Sequence, residues 1–219
     1  LWTAQALDPI RLDAFNAGDH EGALAEQVRA ESLVRVLYPA DQTAAGQELR
    51  LRQEYFFSSA SIQDIVRRHM QYHGDITTLP QKAAIQLNDT HPAVAVAELM
   101  RILLDHHGVA FDAAWDICRE TFGYTNHTLL PEALESWPLP LFERLLPRHM
   151  QLVYAINAKL LRSARKDMGL DDRAIAAISL IDEGGERRVR MANLAFAGSH
   201  SVNGVAALHT DLMKQTVFA

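Results

Sequence analysis

Two short stretches concentrate side chains that could do chemistry on a ligand rich in hydroxyl groups. The first is Leu87-Asn88-Asp89-Thr90-His91-Pro92; the second is Tyr124-Thr125-Asn126-His127-Thr128, with Pro131 three residues beyond. In each, a short apolar strand runs into polar residues ending in histidine, and a proline suited to the first position of a helix follows. Asp, Asn, Thr and His together offer donors and acceptors for several hydroxyl groups at once. In open α/β sheets, ligands bind outside the carboxyl ends of the strands. Helix capping competes as an explanation, because Asp89, Thr90 and Thr128 are all good N-cap residues. Two histidine-ended strand termini in one short stretch favour a polar ligand site over two unrelated caps.

Other suggestive residues carry less. His69 and His73 have the i, i+4 spacing of a helical metal pair, but no third ligand is evident and a surface role is expected. His106-His107 stands near a helix end, where it would meet exposed carbonyls and the helix dipole. Cys118 reads as a small buried apolar residue. The stretch Gly198 to Gly204 lacks the GxGxxG spacing and is a weak phosphate-loop signal.

The elements that must position these residues alternate between helices and short apolar strands, the pattern of an α/β layered domain. Apolar residues at helical spacing predict helices over 21–37 and 47–72, separated by a break at Tyr38-Pro39 to Gly46. Residues 83–87 read as a strand buried on both faces, and 122–127 as a second strand. Helices are expected over 92–105, opened by Pro92 and stopped by Gly108, and over 111–121. Pro131 should open another helix through PEALESW. Residues 139–166 form a further amphipathic helix with a kink or junction at Pro147. ISLIDE, Gly184-Gly185 and ERRVRMANLAFAG suggest a hairpin, and a last helix follows Gly204.

The totals bound the function class. A net charge of −6 argues against nucleic-acid binding, which needs a basic surface to neutralise phosphates. No apolar run reaches the roughly 18 residues of a membrane span. A single cysteine excludes an internal disulfide framework and fits a reducing cytoplasm. The opening LWTAQALDPI has no signal-peptide pattern, and both ends are expected to be cuts through a longer folded protein.

Six motifs, in order, give the chain a resemblance. They are Leu37-Tyr38-Pro39; Glu48 to Phe56; Gln86 to Pro92; Tyr124 to Thr128 with Pro131 to Leu134; Leu146-Pro147-Arg148-His149; and Val202-Asn203-Gly204-Val205. Over essentially its whole length the chain resembles the α-glucan phosphorylases of glycogen, starch and maltodextrin.

The resemblance implies a partial first domain of a two-domain GT-B type glycosyltransferase fold, with a Rossmann-like layered sheet. It implies phosphorolysis of the non-reducing-end α-1,4-linked glucose, with retention, to glucose 1-phosphate. The family uses pyridoxal 5'-phosphate bound to a lysine and is usually homodimeric. His127 matches the histidine that binds the glucose 6-hydroxyl, its main-chain carbonyl facing the cationic transition state. Asp41 and Gln42 match a mobile gating loop, though Asn is frequent where Gln42 stands. Arg50 matches an arginine that nears the phosphate when the gate moves. Asp89, His91, Asn126, Thr128 and Glu135 match positions around the glucose and the pocket beside it. Arg67-Arg68 matches a basic pair that binds a nucleotide phosphate in regulated animal enzymes, but a solvated helix face is expected here.

Lys82, Lys159, Lys166 and Lys214 sit in the wrong motifs for the cofactor lysine, which belongs to the second domain. The 219 residues alone are therefore expected to be inactive. The alternatives are a truncated, non-catalytic glucan-binding or assembly module, and an unrelated α/β sugar-phosphate protein that the ordered motifs disfavour.

Overall fold

A computed structural model describes residues 2–128, 130 and 134–215. The chain divides into two compact units, Leu1–Ala60 and Ser61–Ala219.

The first unit opens with helices α1 (Leu12–Asn16) and α2 (His20–Arg35). Asp19 caps α2 by accepting from Gly22 N, and Arg11 N donates to Ala23 O to close the α1–α2 pair. After the 36–43 connection, α3 runs from Ala44 to His73 and carries the chain into the second unit. Thr43 starts it: its hydroxyl accepts from Gly46 N at 3.1 Å and its carbonyl from Gln47 N. A Cβ at Gly46 would collide with the Ala40 carbonyl, so the tight entry requires glycine there.

The second unit is built on a parallel sheet. A 3-10 turn at Ile76–Thr78 and helix α4 (Leu79–Lys82) lead to β1 (Ile85–Asn88). Helix α5 (Val94–Arg101) follows and ends in a π-helical turn, Ile102–His106; Gly108 at φ +64° stops it. Helix α6 (Phe111–Thr121) then passes directly into β2 (Phe122–Asn126). Past the loop lie β3 (Ser136–Pro138), α7 (Leu139–Leu145) and α8 (Pro147–Asp167), with Leu146-Pro147 as the expected junction. Helix α9 (Asp172–Ile178), strands β4 (Ile181–Asp182) and β5 (Arg188–Arg190), helix α10 (Met191–Ala197), strand β6 (Ser201–Gly204) and helix α11 (Ala207–Gln215) complete the unit.

The parallel sheet has the order β1-β2-β6, and a small antiparallel sheet the order β3-β5-β4. The fold is therefore α/β with a parallel three-stranded sheet, as a partial Rossmann-like layer requires. Its core side carries Leu87, Phe122, Tyr124 and Asn126, all buried, and α5 is buried along nearly its whole length.

Several expectations are corrected. Strand β1 is not buried on both faces, since Gln86 and Asn88 are exposed and only Leu87 is fully covered. Pro92 is not the first residue of α5; it lies in a turn closed by Ala93 N donating to Thr90 O, and the helix starts at Val94. The helix expected through PEALESW gives way to β3 at Ser136–Pro138, whose pairing with β5 buries Trp137; residues 131–133 lie outside the described residues. The hairpin is present as β4–β5, but MANLAFA is helix α10. His69 is buried rather than superficial, its Nε2 2.8 Å from the Asp75 carbonyl and its ring 5.0 Å from that of His73.

Candidate functional site

The site is assembled by strand register. Strand β1 pairs with β2 so that Leu87 faces Tyr124 and Asn88 faces Thr125, and Asp89 N donates to Thr125 O one residue further on. Asp89 then turns the chain through φ +70°, a left-handed conformation that Asp tolerates better than most residues. Its carboxylate accepts from Thr90 N at 2.6 Å, which steadies the turn. No side chain caps α5, so the capping explanation for Asp89 and Thr90 does not hold there. Thr90 is buried and His91 half-buried.

Side chains alternate across β2. Phe122, Tyr124 and Asn126 point into the core, while Gly123, Thr125 and His127 fall on the other side with Gln86, Asn88 and Asn203. That second side is a hydrogen-bonded polar row. Gln86 donates to Thr125 Oγ1 at 2.9 Å, crossing over Gly123, where a Cβ would clash with the Gln86 amide. Thr125 Oγ1 donates to Asn203 Oδ1 at 3.3 Å.

His127 ends this row. It is exposed, and its Nε2 donates to Asn88 Oδ1. With that proton fixed on Nε2, the Nδ1 lone pair is left to accept from a ligand hydroxyl. Thr128, next along, accepts from Leu130 N at 3.2 Å.

Asn126 is placed differently from its neighbour. It is fully buried, its Nδ2 donates to Tyr124 Oη at 3.1 Å and its Oδ1 accepts from His209 Nε2 at 2.9 Å. The Tyr124 phenol is pushed up to about 12, mainly by burial, with the Asp89 and Glu135 carboxylates adding to the shift. Both acidic residues therefore bear on the same buried strand. Glu135 leads into β3 and lines a cavity of about 310 Å³ with Ser136, Asp182, Arg190 and Asn193.

In the first unit, Asp41 and Arg50 meet in an ion pair of 2.9 Å. Arg50 also lies 3.5 Å from Glu54 and 5.9 Å from the centre of the Tyr38 ring. Gln42 beside them is exposed. The segment that carries them is pinned by Gln53, which sequence reasoning missed. Its amide donates to Leu33 O and Val36 O at 2.7 and 2.8 Å and accepts from Tyr38 N at 2.9 Å. Tyr38 itself has φ +53°, so this clasp holds a strained turn.

The remaining residues behave as surface or core. Arg67 and Arg68 are exposed and paired with Asp64. His106 receives a hydrogen bond from Arg101. Cys118 is buried and its thiol pKa is driven up by desolvation. Among the described residues, no group of three or more His, Cys, Asp or Glu is placed to hold a metal ion, and no helix is long and apolar enough to cross a membrane.

A phosphopyridine cofactor does not fit the lysines whose side chains are described. Lys82 and Lys166 are exposed, and Lys159 is tied to Asp112 at 2.7 Å. None stands in a buried polar cradle.

Comparison with known proteins places this geometry in a family. The phosphorylase profile, described as carbohydrate phosphorylase, matches residues 1–219. The chain is 49% identical to the glycogen phosphorylase of Synechocystis sp. over 99% of its length and 26% of that protein. It is 50% identical to the Haemophilus influenzae enzyme over 100% of the chain and 27% of that protein, and 47% identical to the human brain form over the same shares. The chain thus spans about a quarter of the length of the curated relatives it matches. Matched from its first residue to its last, the chain belongs to the carbohydrate phosphorylase family.

Proposed function

We propose that this chain is the glucose-holding part of the N-terminal domain of an α-1,4-glucan phosphorylase, within a two-domain GT-B type fold. The enzyme transfers the non-reducing-end glucose of the glucan to phosphate, with retention, giving glucose 1-phosphate. The observation that carries the reading is the β1–β2 register, which sets an exposed His127, oriented by Asn88, at the carboxyl end of a parallel sheet.

In this reading His127 Nδ1 accepts from the glucose 6-hydroxyl, and its main-chain carbonyl points a fixed dipole at the cationic transition state. Asp89, His91, Thr128 and Glu135 supply further polar contacts around the sugar and the pocket beside it, with Asn126 supporting them from inside the strand. Asp41 and Gln42 serve as a gating segment, and its movement frees Arg50 to serve the phosphate. Pyridoxal 5'-phosphate and its lysine belong to the remainder of the polypeptide. A cytoplasmic homodimer that acts on a soluble glucan, without nucleic-acid or membrane partners, fits the acidic charge and single cysteine.

The test is phosphorolysis by the full-length polypeptide that carries these residues. Replacing His127 by Ala should lower kcat/KM by about 10- to 100-fold, the consequence of leaving a sugar hydroxyl without its partner. The 219 residues alone should release no glucose 1-phosphate. Wild-type turnover by the H127A enzyme, or activity of the isolated chain, contradicts the reading.

A further inference from the structure

Asn126 and His127 are neighbours in sequence and point to opposite sides of β2. The amide of Asn126 is anchored at both ends, by Tyr124 Oη at 3.1 Å and by His209 at 2.9 Å, and it is fully buried. An amide tied at both ends inside a core cannot swing away from either partner without stranding a polar atom, whichever group carries each shared proton. The outer anchor comes from α11, 83 residues further along the chain.

Gly204 makes that anchor sterically possible. It ends β6 directly opposite Asn126 in the parallel pairing, and a Cβ there would overlap the His209 imidazole. Its φ is not positive, so the position needs the absence of a side chain rather than a special backbone angle. Gly204 N donates to Thr210 Oγ1 at 2.9 Å, which ties the start of α11 to the strand end. The Val202-Asn203-Gly204-Val205 motif is therefore a docking point for a histidine and not a phosphate loop.

We infer that His209 is a positioning residue for glucosyl transfer. By locking Asn126 it fixes the end of strand β2, from which the His127 carbonyl and imidazole are presented. Gly204 is the space in which it does so. The inference rests on the proposed role of His127 toward the glucose 6-hydroxyl.

The test uses the full-length polypeptide in the synthetic direction, with glucose 1-phosphate and 6-deoxyglucose 1-phosphate as donors. The wild type should prefer the 6-hydroxylated donor by about tenfold or more in kcat/KM. H209L should lower kcat about tenfold and shrink that preference to under about threefold, with KM for the glucan primer unchanged. G204A retains every hydrogen-bonding group yet displaces the imidazole, so it should reproduce both effects and serves if H209L does not fold. H209Q, which keeps a donor at the same reach, should restore them. A folded H209L or G204A enzyme with wild-type kcat and preference overturns this inference alone. A wild type without preference between the donors overturns the His127 role, and this inference with it.

Discussion

The segment from Tyr38 to Glu54 and the strand ends from Ile85 to His127 both carry residues singled out for chemistry, yet different physics holds them. In the strand-end region the backbone does the positioning. Asn88, Asp89 and His127 are placed by main-chain pairing between β1 and β2, and that sheet is backed by the buried helix α5. In the 38–54 segment side chains do it. Gln53 clasps three backbone groups, Arg50 sits between Asp41 and Glu54, and the residues held are largely at the surface. A ladder of main-chain bonds gives one rigid answer, whereas a few side-chain contacts can be exchanged at small cost. The first arrangement suits the sugar-holding role proposed for His127; the second suits the gating role proposed for Asp41 and Gln42.

The largest effect should come from breaking the backing of the strand ends. Glu98 on α5 is completely buried; it receives hydrogen bonds from Arg101 at 2.8 and 2.9 Å and faces His149 of α8 at 2.7 Å. Replacing Glu98 by Leu leaves Arg101 and the buried His149 without their carboxylate acceptor, and should cost about 3–5 kcal/mol in urea unfolding. Next comes the clasp of the other region. Replacing Gln53 by Leu strands two carbonyls and an N–H, and should cost about 1–3 kcal/mol. Limited proteolysis should then cut preferentially between residues 33 and 43, since the loss is local. If Q53L proved as damaging as E98L, the contrast between backbone-held and side-chain-held regions would collapse.

That contrast also explains what could be read from sequence. Strands β1 and β2 announced themselves through apolar residues ahead of polar ones, and Gly108 and Pro147 marked real boundaries. Strand β6 gave no such sign. SVNG has one apolar side chain, and it is a strand because it pairs with β2, a tertiary cause. Ser136–Pro138 followed a proline-started pattern that suggested helix, but burial of Trp137 against β5 decided otherwise. His69 looked like a surface residue because its helix spacing said nothing about the Asp75 carbonyl beyond the helix end. The candidate site was legible only where chemistry and local pattern coincide, as at His127. Asn88 lay within a recognised motif, yet its bond to His127 needs the register to be known. His209 had no local signal, because its partner lies on a distant strand.

The smallest expected effect on stability is at Asp41, and it carries the most information about the side-chain-held region. The Asp41–Arg50 pair is partly solvated, with the Asp41 side chain 42% exposed, and exposed pairs contribute about 0–1 kcal/mol. Asp41→Asn should therefore leave the unfolding midpoint nearly unchanged. Its consequence should be kinetic. Arg50 would keep its contact with Glu54 and lose the carboxylate that draws it toward the loop, so its approach to phosphate should become easier. The KM for phosphate should fall about two- to fivefold while the KM for glucan stays constant, a split that general loosening of the fold would not produce. A rise in both constants, or a stability loss comparable to Q53L, would mean that the pair anchors the segment instead of biasing it. Asp41 would then join the rigid class, and the gating role proposed for it would lose its physical basis.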